Sequence, residues 1–70
     1  MSDSIFALFD PVRLVTNRFA EHGAALGVVG YVIEKYENGA LEVEVSNPRT
    51  GETVAQFVAF DEDLERADVG

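Results

Sequence analysis

Cysteine and tryptophan are absent from this 70-residue chain, and histidine and methionine occur once each. Without cysteine there is no disulfide scaffold, no thiol nucleophile and no thiolate metal site. A single histidine, His22, excludes the multi-histidine zinc centres. Long apolar runs are also missing, and none approaches the roughly 20 residues that a membrane helix needs. The apolar stretch 5–9, behind an acidic start, is too short for a signal peptide. Basic side chains are scarce: five Lys and Arg stand against 13 Asp and Glu, a formal net charge of -8. Nucleic acid and anionic membranes repel such a chain, so basic proteins in a cytoplasmic setting are the expected partners.

What is present points to a folded domain. Hydrophobic residues make up 47% of the chain and include five Phe and two Tyr, too many for a disordered acidic tail. The size is marginal, because a domain of about 60 residues buries only about 60% of its unfolded surface. With no disulfide or thiolate metal to staple it, self-association or a bound protein is the remaining source of stability. Residues 1–70 read as a single domain, with 1–9 an apolar N-terminal extension and 10–67 a barrel.

The dominant period is two. Leu41, Val43 and Val45 alternate with Glu42 and Glu44, the pattern of a strand with one buried and one wet face. The β-forming run 30–36 precedes it, and Asn38-Gly39 between the two predicts a tight type I′ hairpin. Proline and glycine in 46–51 mark a second hairpin, followed by a strand over 53–60. Val12 and Leu14, with or without Val15, form a short first strand opened by Pro11. Residues 17–26 interrupt this meander. Gly23 sits mid-segment and disfavours a helix, so the segment reads as a long loop turned by Gly23 and pinned by Phe19 and Leu26. Residues 61–66 read as one helical turn capped by Asp61, with Leu64 directed at the core before a last strand. The fold class that follows is all-β: a small five-stranded SH3-like barrel with one long loop and a short helical turn before the last strand.

Three runs carry a family resemblance: Phe9-Asp10-Pro11-Val12-Arg13-Leu14, Glu21-His22-Gly23, and Gly27-Val28-Val29-Gly30-Tyr31-Val32. With Tyr36, residues 42–45, residues 51–55 and the acidic turn before Leu64, they resemble a short uncharacterised bacterial domain family. The similarity spans about residues 9–66. Its Gly-x-x-Gly-x-Val core implies an SH3-like barrel, and no activity comes with it. Val28 departs from the pattern, which usually has a charged or polar residue there.

Catalytic chemistry finds little support. His22 lacks an evident nucleophile or carboxylate partner other than its sequence neighbour Glu21, and reads as a loop residue before a turn glycine. Asp61, Asp63 and Glu65 resemble part of a calcium loop, yet they supply neither six to eight oxygens nor the sharp glycine turn, so a capped, solvated turn is preferred. Gly27 and Gly30 lack the Lys-Ser/Thr of a phosphate loop. No metal or cofactor is implied, and an enzyme is not expected.

Binding surfaces remain. Along 54–60, Ala55, Phe57 and Ala59 fall on one face and Val54, Gln56, Val58 and Phe60 on the other. Gln56 marks the second face as outward, which leaves Val54, Val58 and Phe60 as an exposed apolar stripe; a strongly bent strand that buries both faces is the alternative. Residues 5–9 either plug one end of the barrel or meet a partner. Glu42 and Glu44 share the outward face of the clearest strand and would attract a basic protein, unless the acidity serves solubility alone. The expected function is therefore a non-enzymatic protein-binding module, an immunity- or antitoxin-like inhibitor of a basic protein, with Glu42, Glu44, Val54, Val58 and Phe60 as its contact residues. The alternative is a structural module that oligomerises or docks on a larger enzyme as an accessory subunit.

Overall fold

The computed structural model describes residues 4–68. Five strands form one antiparallel sheet: β1 (Pro11–Leu14), β2 (Val29–Lys35), β3 (Leu41–Ser46), β4 (Thr53–Ala59) and β5 (Leu64–Arg66). Two 3-10 turns, Ala20–His22 and Asp61–Asp63, complete the elements. The strand order is β4-β3-β2-β1-β5. The all-β, five-stranded architecture, the long loop after β1 and a short turn before β5 match the sequence reading; that turn spans only Asp61–Asp63 and not 61–66, because Leu64–Arg66 already pair with β1. The sheet itself stays open. β4 and β5 are its two edges, with no ladder between them, so the closure of a barrel is not present.

Alternation builds the core. Leu41, Val43 and Val45 of β3 are buried, and so are Ala55, Phe57 and Ala59 of the facing β4 and Val32 of β2. Burying a Val or Leu side chain fully contributes about 1.5–3 kcal/mol, so these pairs dominate the stability of so short a chain. Space between β2 and β3 runs out at Gly30. A Cβ there would lie 2.6 Å from the Glu44 carbonyl oxygen and 3.0 Å from methyls of Val43 and Val45, so no side chain fits.

The β2–β3 turn differs from the expected type I′. That geometry needs positive φ at both central residues, whereas only Gly39 (φ 87°) has it and Asn38 does not. Gly39 N–H instead donates to the Tyr36 carbonyl (3.1 Å) and Tyr36 N–H to the Ala40 carbonyl (2.9 Å). The loop is one residue longer than a two-residue turn, and the Asn38 side chain accepts the Ala40 N–H (3.0 Å) to close it.

The loop between β1 and β2 is held from both sides. Phe19 is buried and stacks on Phe57 with ring centroids 4.5 Å apart. Leu26 is 59% exposed and pins nothing; the buried partner is Ala24. The reason is local. Gly27 N–H bonds the Leu14 carbonyl (2.8 Å) and returns the chain to β1, leaving the preceding Leu26 on the outside of that turn. Val15, a possible member of the first strand, lies past its end and is exposed.

Carboxylates fasten the remaining segments. Asp63 is buried and receives two hydrogen bonds from Arg18, Nε to Oδ1 at 3.0 Å and Nη2 to Oδ2 at 2.7 Å. It also accepts the Phe60 N–H (2.9 Å), which makes Asp63 and not Asp61 the residue that closes the turn. Asp61 reaches back to the N-terminal segment, accepting the Ser4 hydroxyl and the Ile5 N–H. Among residues 5–9 only Phe6 enters the core, while Ile5, Leu8 and Phe9 are exposed. The Asp10 carboxylate accepts the Ala7 N–H (2.9 Å) and pairs with Arg66 (3.0 Å).

Candidate protein-binding site

The outer face of the sheet carries the residues singled out from the sequence. Because Leu41, Val43 and Val45 are buried, Glu42 and Glu44 between them point outward, each half-buried by its neighbours. Glu42 stands opposite Val58 on one side and Glu34 on the other; Glu44 stands opposite Gln56 and Tyr31. Val54 and Val58 are 51% and 44% exposed, so the alternation of β4 is as expected and the stripe faces solvent. Phe60 is 37% exposed and lies one residue past the strand, with its N–H committed to Asp63. It belongs to the turn as much as to the stripe.

Neutral donors hold the two glutamates. Glu42 accepts the Tyr36 hydroxyl (2.8 Å) and the Gln56 amide (3.1 Å), and Glu44 accepts the Thr53 hydroxyl. The bond to Glu42, with its charge and that of Glu34, raises the Tyr36 phenol pKa above its ordinary value. Cations are elsewhere. Arg13 pairs with Glu65, Arg18 with Asp63 and Arg66 with Asp10, and among the described residues no ion pair reaches Glu34, Glu42 or Glu44. Like charges directly opposite across a ladder are destabilising, so the Glu34–Glu42 pairing costs stability, and no ion pair among the described residues offsets it.

Two features escaped the sequence reading. Tyr31, 45% exposed, stands beside Glu44 on the outer face; its parity against buried Val32 was the available signal. Near it Val28, Val29, Tyr31, Val45, Ser46 and Pro48 line an open, largely apolar groove of about 450 Å³. It forms where the loop after β3 stands beside the start of β2, a meeting of residues about 17 apart that no local pattern announces.

Four acidic residues away from this face, Asp10, Asp61, Asp63 and Glu65, have structural partners. Burial by itself would push the Asp63 carboxyl up, but the hydrogen bonds from Arg18 and Phe60 N–H and the Arg18 charge outweigh it and hold it below the ordinary aspartate value. Asp10 is likewise lowered, chiefly by the Ala7 N–H and then, against some desolvation, by Arg66. Asp61, Asp63 and Glu65 do not converge on one point: each bonds a different segment. His22 ends the first 3-10 turn ahead of Gly23, exposed, its ring 6.3 Å from that of Phe19. Among the described residues no group of three His, Cys, Asp or Glu side chains is placed to hold a metal ion, and no helix is long and apolar enough to cross a membrane.

No curated protein and no solved structure matches the chain. A family of domains of unknown function, DUF4926, matches residues 8–70, and the chain belongs to that family.

Proposed function

We propose that the protein is a non-enzymatic binding module that engages a basic protein through the outer face of its sheet. The observation that carries this reading is the set of three carboxylates, Glu34, Glu42 and Glu44, on one face of the sheet, with no ion pair to any of them among the described residues. A marginal domain loses stability by placing Glu34 opposite Glu42, and a partner's Lys or Arg side chains recover it. Glu42 and Glu44 are held in place by Tyr36, Gln56 and Thr53, so little side-chain freedom is lost on contact. Val54, Val58 and Phe60 add apolar contact at the β4 edge of the same surface. An inhibitor acting this way, in the manner of an immunity protein or antitoxin, covers an electropositive site on its target.

The test is capture from the native cytoplasm at low and high salt, followed by binding kinetics with whatever basic protein is recovered. Association should be fast and should slow steeply with salt while dissociation changes less. Replacing Glu34, Glu42 and Glu44 together with Gln should lower the association rate and leave the fold intact. Recovery of only acidic or neutral partners, with salt-independent kinetics, rejects the reading. That result favours the second one, an accessory subunit docked through Val54, Val58 and Phe60, in which Phe60→Asp raises the dissociation rate.

A further inference from the structure

Phe9 is the one non-glycine residue among those described with positive φ, at 70°. A bulky side chain in this region is an outlier, and such strain persists only where surrounding bonds enforce it. Those bonds are present. Phe9 N–H donates to the Val32 carbonyl (2.6 Å), Asp10 N–H to the Ala7 carbonyl (3.1 Å), and Ala7 N–H to the Asp10 carboxylate, itself tied to Arg66. The result is not burial. Phe9 is 70% exposed, with Ile5 at 74% and Leu8 at 47% beside it in the chain. A rigid turn thus displays an aromatic ring to solvent in a conformation that glycine would adopt without strain.

The same chain carries a matching recess. The groove lined by Val29, Tyr31, Val45 and Pro48 is apolar, and its volume of about 450 Å³ exceeds the roughly 150 Å³ that suffices for a benzene ring. The backbone of the knob lies one residue along β2 from the groove wall: Phe9 N–H bonds the Val32 carbonyl, and Val32 follows Tyr31 in the strand. Neither Ile5, Leu8 and Phe9 nor the six groove-lining residues include a charge, in a chain of net charge -8. When one patch holds both a knob and its hole, a two-fold axis satisfies both at once and assembly stops at two copies. Ile5, Leu8, Phe9 and Tyr31 together expose on the order of 500 Å²; covered in full on both copies, they bury about 1,000 Å², the lower bound for a specific interface.

We propose that the occupant of the groove is Phe9 of a second copy of this chain, and that the protein is a reciprocal knob-into-groove homodimer. This goes beyond the binding-module reading and stands or falls separately from it. Two copies of charge -8 repel, so the dimer tightens as salt rises, whereas binding of a basic protein loosens.

Sedimentation equilibrium of the full chain from about 1 to about 100 µM, in low and high salt, tests the proposal. The expected result is a species of twice 7.6 kDa, favoured by salt. Phe9→Gly should raise the dissociation constant about 100-fold or more, while leaving the thermal midpoint of the monomer unchanged or higher because the strain is relieved. Ser46→Arg, which lays a charged chain across the groove, should also be monomeric. Mixing these two variants should restore association, since the mixed pair retains one knob and one open groove. A 7.6 kDa species at every concentration and salt overturns the proposal. So does a dimer that survives Phe9→Gly, or a mixture of the two variants that stays monomeric.

Discussion

The β2–β3–β4 meander and the segments around it are held together by different means. In the meander, neighbours in sequence are neighbours in space, and alternating Val, Leu and Ala side chains meet across consecutive ladders. Outside it, bonds tie residues 45 to 57 positions apart: Arg18 to Asp63, Ser4 to Asp61, Arg66 to Asp10. Apolar burial is non-directional and secures a sheet whose register alternation already fixes. Charged hydrogen bonds are directional, and they fasten segments that have no periodic pattern to align them. One consequence is that the acidity of this chain is not a single property. Asp10, Asp61 and Asp63 are clamps, while Glu34, Glu42 and Glu44 form a surface.

The largest effect that tests this division is expected at the buried clamp. Asp63→Ala leaves the Phe60 N–H without its acceptor and Arg18 without its bidentate partner, and should cost about 2–3 kcal/mol in urea denaturation at neutral pH. The loss should depend on pH with a definite sign. The carboxyl titrates below its unfolded-chain value of 3.8 in the folded protein, so its contribution is complete above that value and disappears as pH falls through the folded one. The stability gap between the native chain and Asp63→Ala should therefore hold from pH 7 to about pH 4 and narrow as pH falls further to 3. A gap that is constant over that range would assign the cost to lost packing and merge the two modes of cohesion.

Val43→Ala supplies the contrasting case. It removes two carbons from a side chain 1% exposed at the centre of the meander, for a cost of about 2 kcal/mol including the cavity. No ionisable group is involved, so the gap from the native chain should hold across the same pH range. An unchanged denaturation midpoint would take Val43 out of the core.

The same division explains what the sequence made legible. Strands β2, β3 and β4 were readable because Leu41, Val43 and Val45 against Glu42 and Glu44 is a local signal of period two. The turn before β5 was readable from its acidic start, but its capping residue was not. Asp61 and Asp63 have equal claims as sequence; only the approach of Arg18, 45 residues away, makes Asp63 the clamp. The loop length at Asn38-Gly39 was misjudged because the dipeptide suits both the two-residue turn and the longer one, and the Tyr36–Ala40 pairing decides between them. Leu26 was misplaced for a related reason. Hydrophobicity marks it for burial, and the bond of Gly27 to Leu14 turns it out. For the candidate site, the outward side of β3 and β4 was legible from alternation. The opposition of Glu34 to Glu42 was not, because the register shifts between Val32 and Glu34 and a strict count along β2 puts Glu34 in another row.

The smallest expected effect probes the surface acids, and its sign is what matters. Glu34→Gln keeps the shape of the side chain while removing one of two like charges that face each other across β2 and β3. If Glu34 were a clamp like Asp63, its loss would destabilise. No cation pairs with it among the described residues, so removing the charge should instead raise stability by a few tenths of a kcal/mol. The gain should shrink as added salt screens the repulsion in the native chain. Glu34→Lys sharpens the comparison further: it converts the repulsive pair with Glu42 into an attractive one and should stabilise more than Gln at low salt. Both changes should slow association with a basic partner, so stability and binding move in opposite directions on this face. A loss of stability on Glu34→Gln would mean that this carboxylate also secures the fold, and the outer face would then lose its standing as a surface kept acidic for contact.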